Sequence, residues 1–154
     1  MKVDKLFNGL KHIANGDYVL EGDLISEETI EIDLDDRLVI KGAIKSGRNI
    51  VARWDIKAGD GIKAGESIKA GCGIEAGESI KAGCGIEAGW GIEAGDGIEA
   101  KTFINASKRI FAGISLYLTS KDCDKTIRCA ELRNGEICYG DLTITENGGI
   151  PDEG

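Results

Sequence analysis

Three carboxylates, Asp60, Glu78 and Asp96, stand eighteen residues apart. Trp54, Cys72 and Trp90 keep the same interval, and so do Glu66, Cys84 and Thr102. Such spacing does chemistry only if the fold brings each set into one row. A row of carboxylates would offer acceptors to the Arg and Lys side chains of a protein partner. It would cost roughly 1 kcal/mol per like-charged neighbour in a water-like dielectric. An exposed Trp is a residue type enriched at binding hot spots. Other kinds of chemistry lack their parts. There is one His, His12, and no Cys-x-x-Cys, so no zinc site is expected. No nucleophile–base pair and no phosphate-cradling loop before a helix is visible. The expectation is a non-enzymatic chain with no catalytic residues, metal or cofactor.

The rows require a repeat, and the chain has one. From Ile56 to Ala100 it reads I-K-A-G-D-G, I-K-A-G-E-S, I-K-A-G-C-G and onward, with Ile every six residues and Ala two places after each Ile. Side chains alternate across an extended segment, so Ile at position one and Ala at position three share a face. Gly, a polar residue, then Gly or Ser supply the bend to the next strand. The pattern is that of a β-solenoid.

Counting by sixes extends the register back through Ile50, Ile44 and Leu38 to Ile32, paired with Leu34. Forward it runs through Ile104 and Ile110 to Leu116, paired with Leu118. At three slots per triangular coil this gives about five coils of eighteen residues. A coil of twelve is the alternative, because G-E-S-I-K-A-G-C-G-I-E-A repeats from Gly65 and again from Gly77. Ile paired with Ala suits the three-sided core, and the eighteen-residue coil is preferred. Burying one Ile yields about 2–3 kcal/mol, whereas ordering six backbones costs roughly 6–12 kcal/mol. Stacked neighbours must supply the difference, which is why such slots come in arrays.

The expected fold is all-β, a single solenoid with two caps. Residues 1–31 form an amino-terminal cap, 32–118 the coils, and 119–154 a carboxy-terminal hairpin and tail. Leu6, Leu10 and Ile13 have helical spacing before Gly16, so a short helix over residues 3–14 is expected. Thr126–Leu132 and Ile137–Thr145 flank Asn134-Gly135 and read as two strands around a turn. Two readings stay open for the acidic row, a solvated face or a docking ladder. Two also stay open for Trp54 and Trp90, exposed contacts or side chains packed under a terminal segment.

Composition narrows the class. The net charge is −8, from 19 Lys and Arg against 27 Asp and Glu. That balance argues against direct nucleic-acid binding, which needs a basic footprint. No apolar run is long enough for a signal peptide or a membrane span. Five cysteines, an odd number, fit a reduced cytoplasmic protein.

The I-x-A-G-x-x run resembles hexapeptide-repeat β-helices and the glycine-rich β-helix domains of polymer-forming, bactofilin-type proteins. Together with the tail I-R-C-A-E-L-R-N-G-E-I-C-Y-G-D-L it is similar to small repeat proteins of phages and mobile elements of Firmicutes, over roughly residues 38–145. Hexapeptide-repeat acyltransferases usually carry a catalytic His and loops inserted between coils. Here His12 precedes the hexads, which run without insertion, and that departure counts against an enzyme. The phage-like resemblance implies a small inhibitor of a bacterial defence system, of the anti-CRISPR kind, acting in the host cytoplasm. Its acidic surface would occupy the basic groove of a protein partner through Asp60, Glu78 and Asp96, and Glu66, Trp54 and Trp90 in the other two rows are further candidate contacts. One alternative is a structural self-assembling protein. Another is a trap for a small signalling nucleotide, for which Arg37, Lys41, Arg48 or Arg53 would have to form a local basic pocket. If the chain pairs with itself, a closed homodimer is expected rather than a filament.

Overall fold

The computed structural model describes residues 1–114 and 124–145. Its strands wind as a three-sided parallel solenoid. Two short strands precede the coils, β1 (Lys2–Val3) and β2 (Lys11–His12). The first coil is β3 (Tyr18–Leu20), β4 (Leu24–Ser26) and β5 (Ile30–Ile32); the second is β6 (Leu38–Ile40), β7 (Ile44–Ser46) and β8 (Ile50–Ala52). The third is β9 (Ile56–Ala58), β10 (Ile62–Ala64) and β11 (Ile68–Ala70); the fourth is β12 (Ile74–Ala76), β13 (Ile80–Ala82) and β14 (Ile86–Ala88). Then come β15 (Ile92–Ala94), β16 (Ile98–Ala100) and β17 (Phe103–Ala112), which bends from one face to the next. Last are β18 (Thr126–Cys129), β19 (Glu131–Tyr139) and β20 (Asp141–Ile144).

The pairing fixes the coil length. Ile62 stacks between Ile44 and Ile80, and Ile74 between Ile56 and Ile92, in parallel register. Each step is eighteen residues. The first face carries β3, β6, β9, β12 and β15, the second β4, β7, β10, β13 and β16, and the third β5, β8, β11 and β14. The second face is a seven-stranded sheet with one strand per coil, so the solenoid has about seven coils, not five.

The hexad explains this architecture locally. Position one and position three are buried in every coil, from Ile56 and Ala58 to Ile110 and Ala112. Alternating large and small inward residues fill a narrow prism without voids. The glycine at position four answers a close approach. A Cβ on Gly71 would overlap the carbonyl oxygen of Arg53 in the coil below. Between coils the backbone closes its own hydrogen bonds: Ile74 N–H donates to Gly91 O at 3.0 Å, and Gly77 N–H to Ala58 O at 3.0 Å.

Three expectations are corrected. The amino-terminal segment is not a helix. β1 lies parallel on β5 and β2 lies antiparallel on β3, with turns between them. Val3 is fully buried, and Phe7 and Leu10 pack against the core. Thus Val3, Phe7 and Leu10 seal the first coil from extended and turn conformations, while Leu6 and Ile13, the other two residues of the helical spacing, are exposed.

The register also slips by two below Leu38. Tyr18, Leu24 and Ile30 stack on Leu38, Ile44 and Ile50, twenty residues on. The extra pair lies in the corner between Ile32 and Leu38, where Leu34 is buried. The inward slot is therefore Ile30 and Ile32 rather than Ile32 and Leu34.

Finally, residues 126–145 are not a hairpin. β18 lies parallel on β16, β19 on β17, and β20 on β18. Asn134-Gly135 bends β19 from the third face to the first, opposite the bend in β17. Ile127 prefers the fully buried row above Ile98, and burial in a continuing core outweighs an isolated two-stranded ribbon. The expected slot at Leu116 and Leu118 lies outside the described residues, as does Cys123.

Candidate functional site

The outward side chains form six vertical stripes, one per face at hexad position two and one per corner at position five. At the first corner Glu78 N–H donates to Asp60 O at 3.3 Å and Asp96 N–H to Glu78 O at 3.2 Å, so the acidic row exists. Asp60 and Glu78 are exposed and Asp96 is half-buried.

A row of the opposite sign runs beside the acidic one. On the second face Lys45, Lys63 and Lys81 are in register, one above another. Both rows border a shallow depression of about 370 Å³ lined by Asp60, Glu78, Lys45, Lys63 and Lys81 among others. None of the six rowed charges enters an ion pair among the described residues. The surface is a double ladder of opposite charge. The lysine row was available from the sequence by the same count of eighteen, applied to position two instead of position five.

At the second corner Glu66 is already engaged. Arg48 approaches it at 3.6 Å, and Asn49 Nδ2 donates to its Oε2 at 2.7 Å. Cys84 and Thr102 stack above it through backbone bonds of 2.9 and 3.0 Å. Glu66 thus serves the coil stack and stands apart from the first-corner acids.

The third corner carries Trp54, Cys72 and Trp90, with Lys108 next above. Trp90 N–H donates to Cys72 O at 3.0 Å and Lys108 N–H to Trp90 O at 2.9 Å. Trp54 is 44% exposed and Trp90 62%, so both indoles face solvent. The Lys108 ammonium lies 5.4 Å from the Trp90 ring centroid. Beside this corner, along the first face, runs a groove of about 680 Å³. Gly73 and Gly91 place no side chain at its floor. Trp90 and Lys108 line one wall, Glu75 and Glu93 the other, and Arg37 and Arg109 are among the remaining lining residues. Lys57 pairs with Glu75 at 3.3 Å. Burial, and then the neighbouring Glu75 carboxylate, raise the Glu93 carboxyl above the usual range. Sequence reasoning singled out Trp90 but missed Glu93, Lys108 and Arg109. Their signal was again the interval of eighteen, carried from Gly91 to Arg109.

Another set of titratable residues supports the amino-terminal cap. His12 stacks flat on Tyr18, ring centroids 4.4 Å apart. Tyr18 Oη and Lys5 Nζ each donate to Asp35 at 2.7 Å, holding that carboxyl at about 2. Arg37 donates through Nε and Nη2 to buried Asp17 at 3.2 and 2.7 Å. The four bases weighed for a phosphate pocket do not converge. Arg37 faces Asp17, Arg48 faces Glu28 and Glu66, Arg53 faces Asp33, and Lys41 lies at another corner. Among the described residues no group of three His, Cys, Asp or Glu is arranged to hold a metal ion.

Comparison of the chain with family models, with curated proteins and with solved structures finds no match.

Proposed function

We propose that the chain is a non-enzymatic binding protein that docks a protein partner on the double ladder of the first corner and second face. The observation that carries this reading is the pair of adjacent unpaired rows, Asp60, Glu78 and Asp96 beside Lys45, Lys63 and Lys81. Both are held at a fixed rise of about 4.8 Å by a continuous sheet. A rigid scaffold spares the partner the cost of ordering those side chains' backbone on binding. Rows of both signs select a partner carrying complementary rows and repel one of a single sign. That requirement narrows the acidic-mimic reading. A nucleic-acid-binding effector of a bacterial defence system fits if its basic residues meet the corner and acidic ones meet the lysines.

The test is affinity capture from bacterial lysate with three proteins: wild type, Glu78→Lys with Asp96→Lys, and Lys63→Glu with Lys81→Glu. Wild type is expected to recover a partner that both charge-reversed proteins lose, with recovery falling as salt is raised. Equal recovery by all three would remove the ladders from the binding surface.

A further inference from the structure

We propose a second, separate site: the groove on the first face binds a nucleoside phosphate, with the base against Trp90, the phosphate at Lys108 and Arg109, and ring N–H donors directed to Glu93. The inference does not rest on the ladder reading, because the groove lies along another corner and shares no residue with it.

Four features converge there. The groove, about 680 Å³, is of the size that small-ligand sites occupy. Gly91 places no side chain on the floor, and at Gly73 one coil below the Asp55 carboxylate lies against the backbone, accepting its N–H. Trp90 is mostly exposed beside it, and a base stacks on an aromatic ring whatever its identity, because every base has a π-face. Lys108 and Arg109 sit one coil above, and neither is in an ion pair among the described residues. Charge decides the class of ligand. The groove is lined by four bases against three acids, in a chain whose acids otherwise outnumber its bases. Two of the bases are already committed, Arg37 to Asp17 and Lys57 to Glu75, and Asp55 accepts from the Gly73 N–H at 2.6 Å at the lower end, which leaves Lys108 and Arg109 at the upper end facing Glu93. Glu93 lines the same space and has no salt-bridge partner among the described residues, so its carboxyl can accept hydrogen bonds from N–H groups.

The experiment is titration of the full chain, carrying Trp54→Phe so that Trp90 alone reports, with AMP, GMP, UMP and inorganic phosphate. Fluorescence and calorimetry are read together. At least one purine nucleotide is expected to quench Trp90 and bind at least tenfold more tightly than phosphate. Arg109→Ala should weaken that binding about tenfold, while Trp90→Phe, which keeps a ring, should retain most of the calorimetric affinity that Trp90→Ala loses. Glu93→Gln should change the ranking among the bases without lowering the melting temperature, a result that a purely structural role would not give. Absence of binding by any of the nucleotides at millimolar concentration would overturn the proposal. So would equal affinity for phosphate alone, or unchanged affinity in Trp90→Ala.

Discussion

At the scale of single residues, carboxylates do two different jobs in this protein. Asp60, Glu78 and Asp96 are rowed and enter no ion pair among the described residues, whereas Asp17 and Asp35 are locked into the cap. Arg37 holds the Asp17 carboxyl below the usual range through charge-assisted bonds, and Lys5 with Tyr18 holds Asp35 at about 2. Both shifts are downward. The stability they contribute is present above the ordinary carboxylate range, about 4, and is lost as pH falls through the lowered folded values. The amino-terminal cap should therefore loosen between about pH 4 and pH 2. Hydrogen exchange of residues 2–20 should quicken over that window in wild type, and Asp35→Asn should already exchange faster at pH 5. Exchange that is flat from pH 5 to pH 2 would show that these pairs do not hold the cap.

At the scale of elements, what was legible followed from burial that repeats. Every strand from Leu38 to Ile110 could be placed, because Ile and Ala recur in the one order that fills a prism. Legibility failed where a local signal competed with stacking. Leu6, Leu10 and Ile13 have helical spacing, yet the open end of the first coil offers strand edges, and Lys2–Val3 satisfies one of them. Asn134-Gly135 has the composition of a hairpin turn, yet the apolar residues around it match the row beneath: Leu132 stacks on Ile104 and Ile137 on Ile110. Gly135 adopts φ 127° there, and a Cβ would lie 2.6 Å from Ile110 Cδ1. Residues 126–139 thus continue the core, with Ile127 and Cys129 buried in it and Leu132 and Ile137 packed against it. Truncation after Lys125 should lower the melting temperature of the remaining coils, since it uncovers Ile98 and Ile104. An appended hairpin would instead leave the thermal transition of the coils where it was, which circular dichroism would reveal.

At the scale of the molecule, the two ends differ. Val3, Phe7 and Leu10 cover the first coil, while Leu142 and Ile144 on the last described strand are 41% and 56% exposed. Both proposed sites depend on a more basic property, that residues eighteen apart are neighbours while residues twelve apart are on different corners. The sequence contains a natural contrast for it, because Cys72 and Cys84 are twelve apart and Cys72 and Trp90 are eighteen apart. A disulfide needs Cα atoms roughly 4.4–6.8 Å apart, a distance that only neighbours in one stripe meet. The decisive measurement is mild oxidation followed by peptide mapping, of wild type and of Trp90→Cys with Cys84→Ser. A link between positions 72 and 90 in the variant, with none between Cys72 and Cys84 within one wild-type chain, is the predicted result. A Cys72–Cys84 bridge in monomeric wild type, and none between 72 and 90, would contradict the eighteen-residue coil and dissolve every stripe built on it.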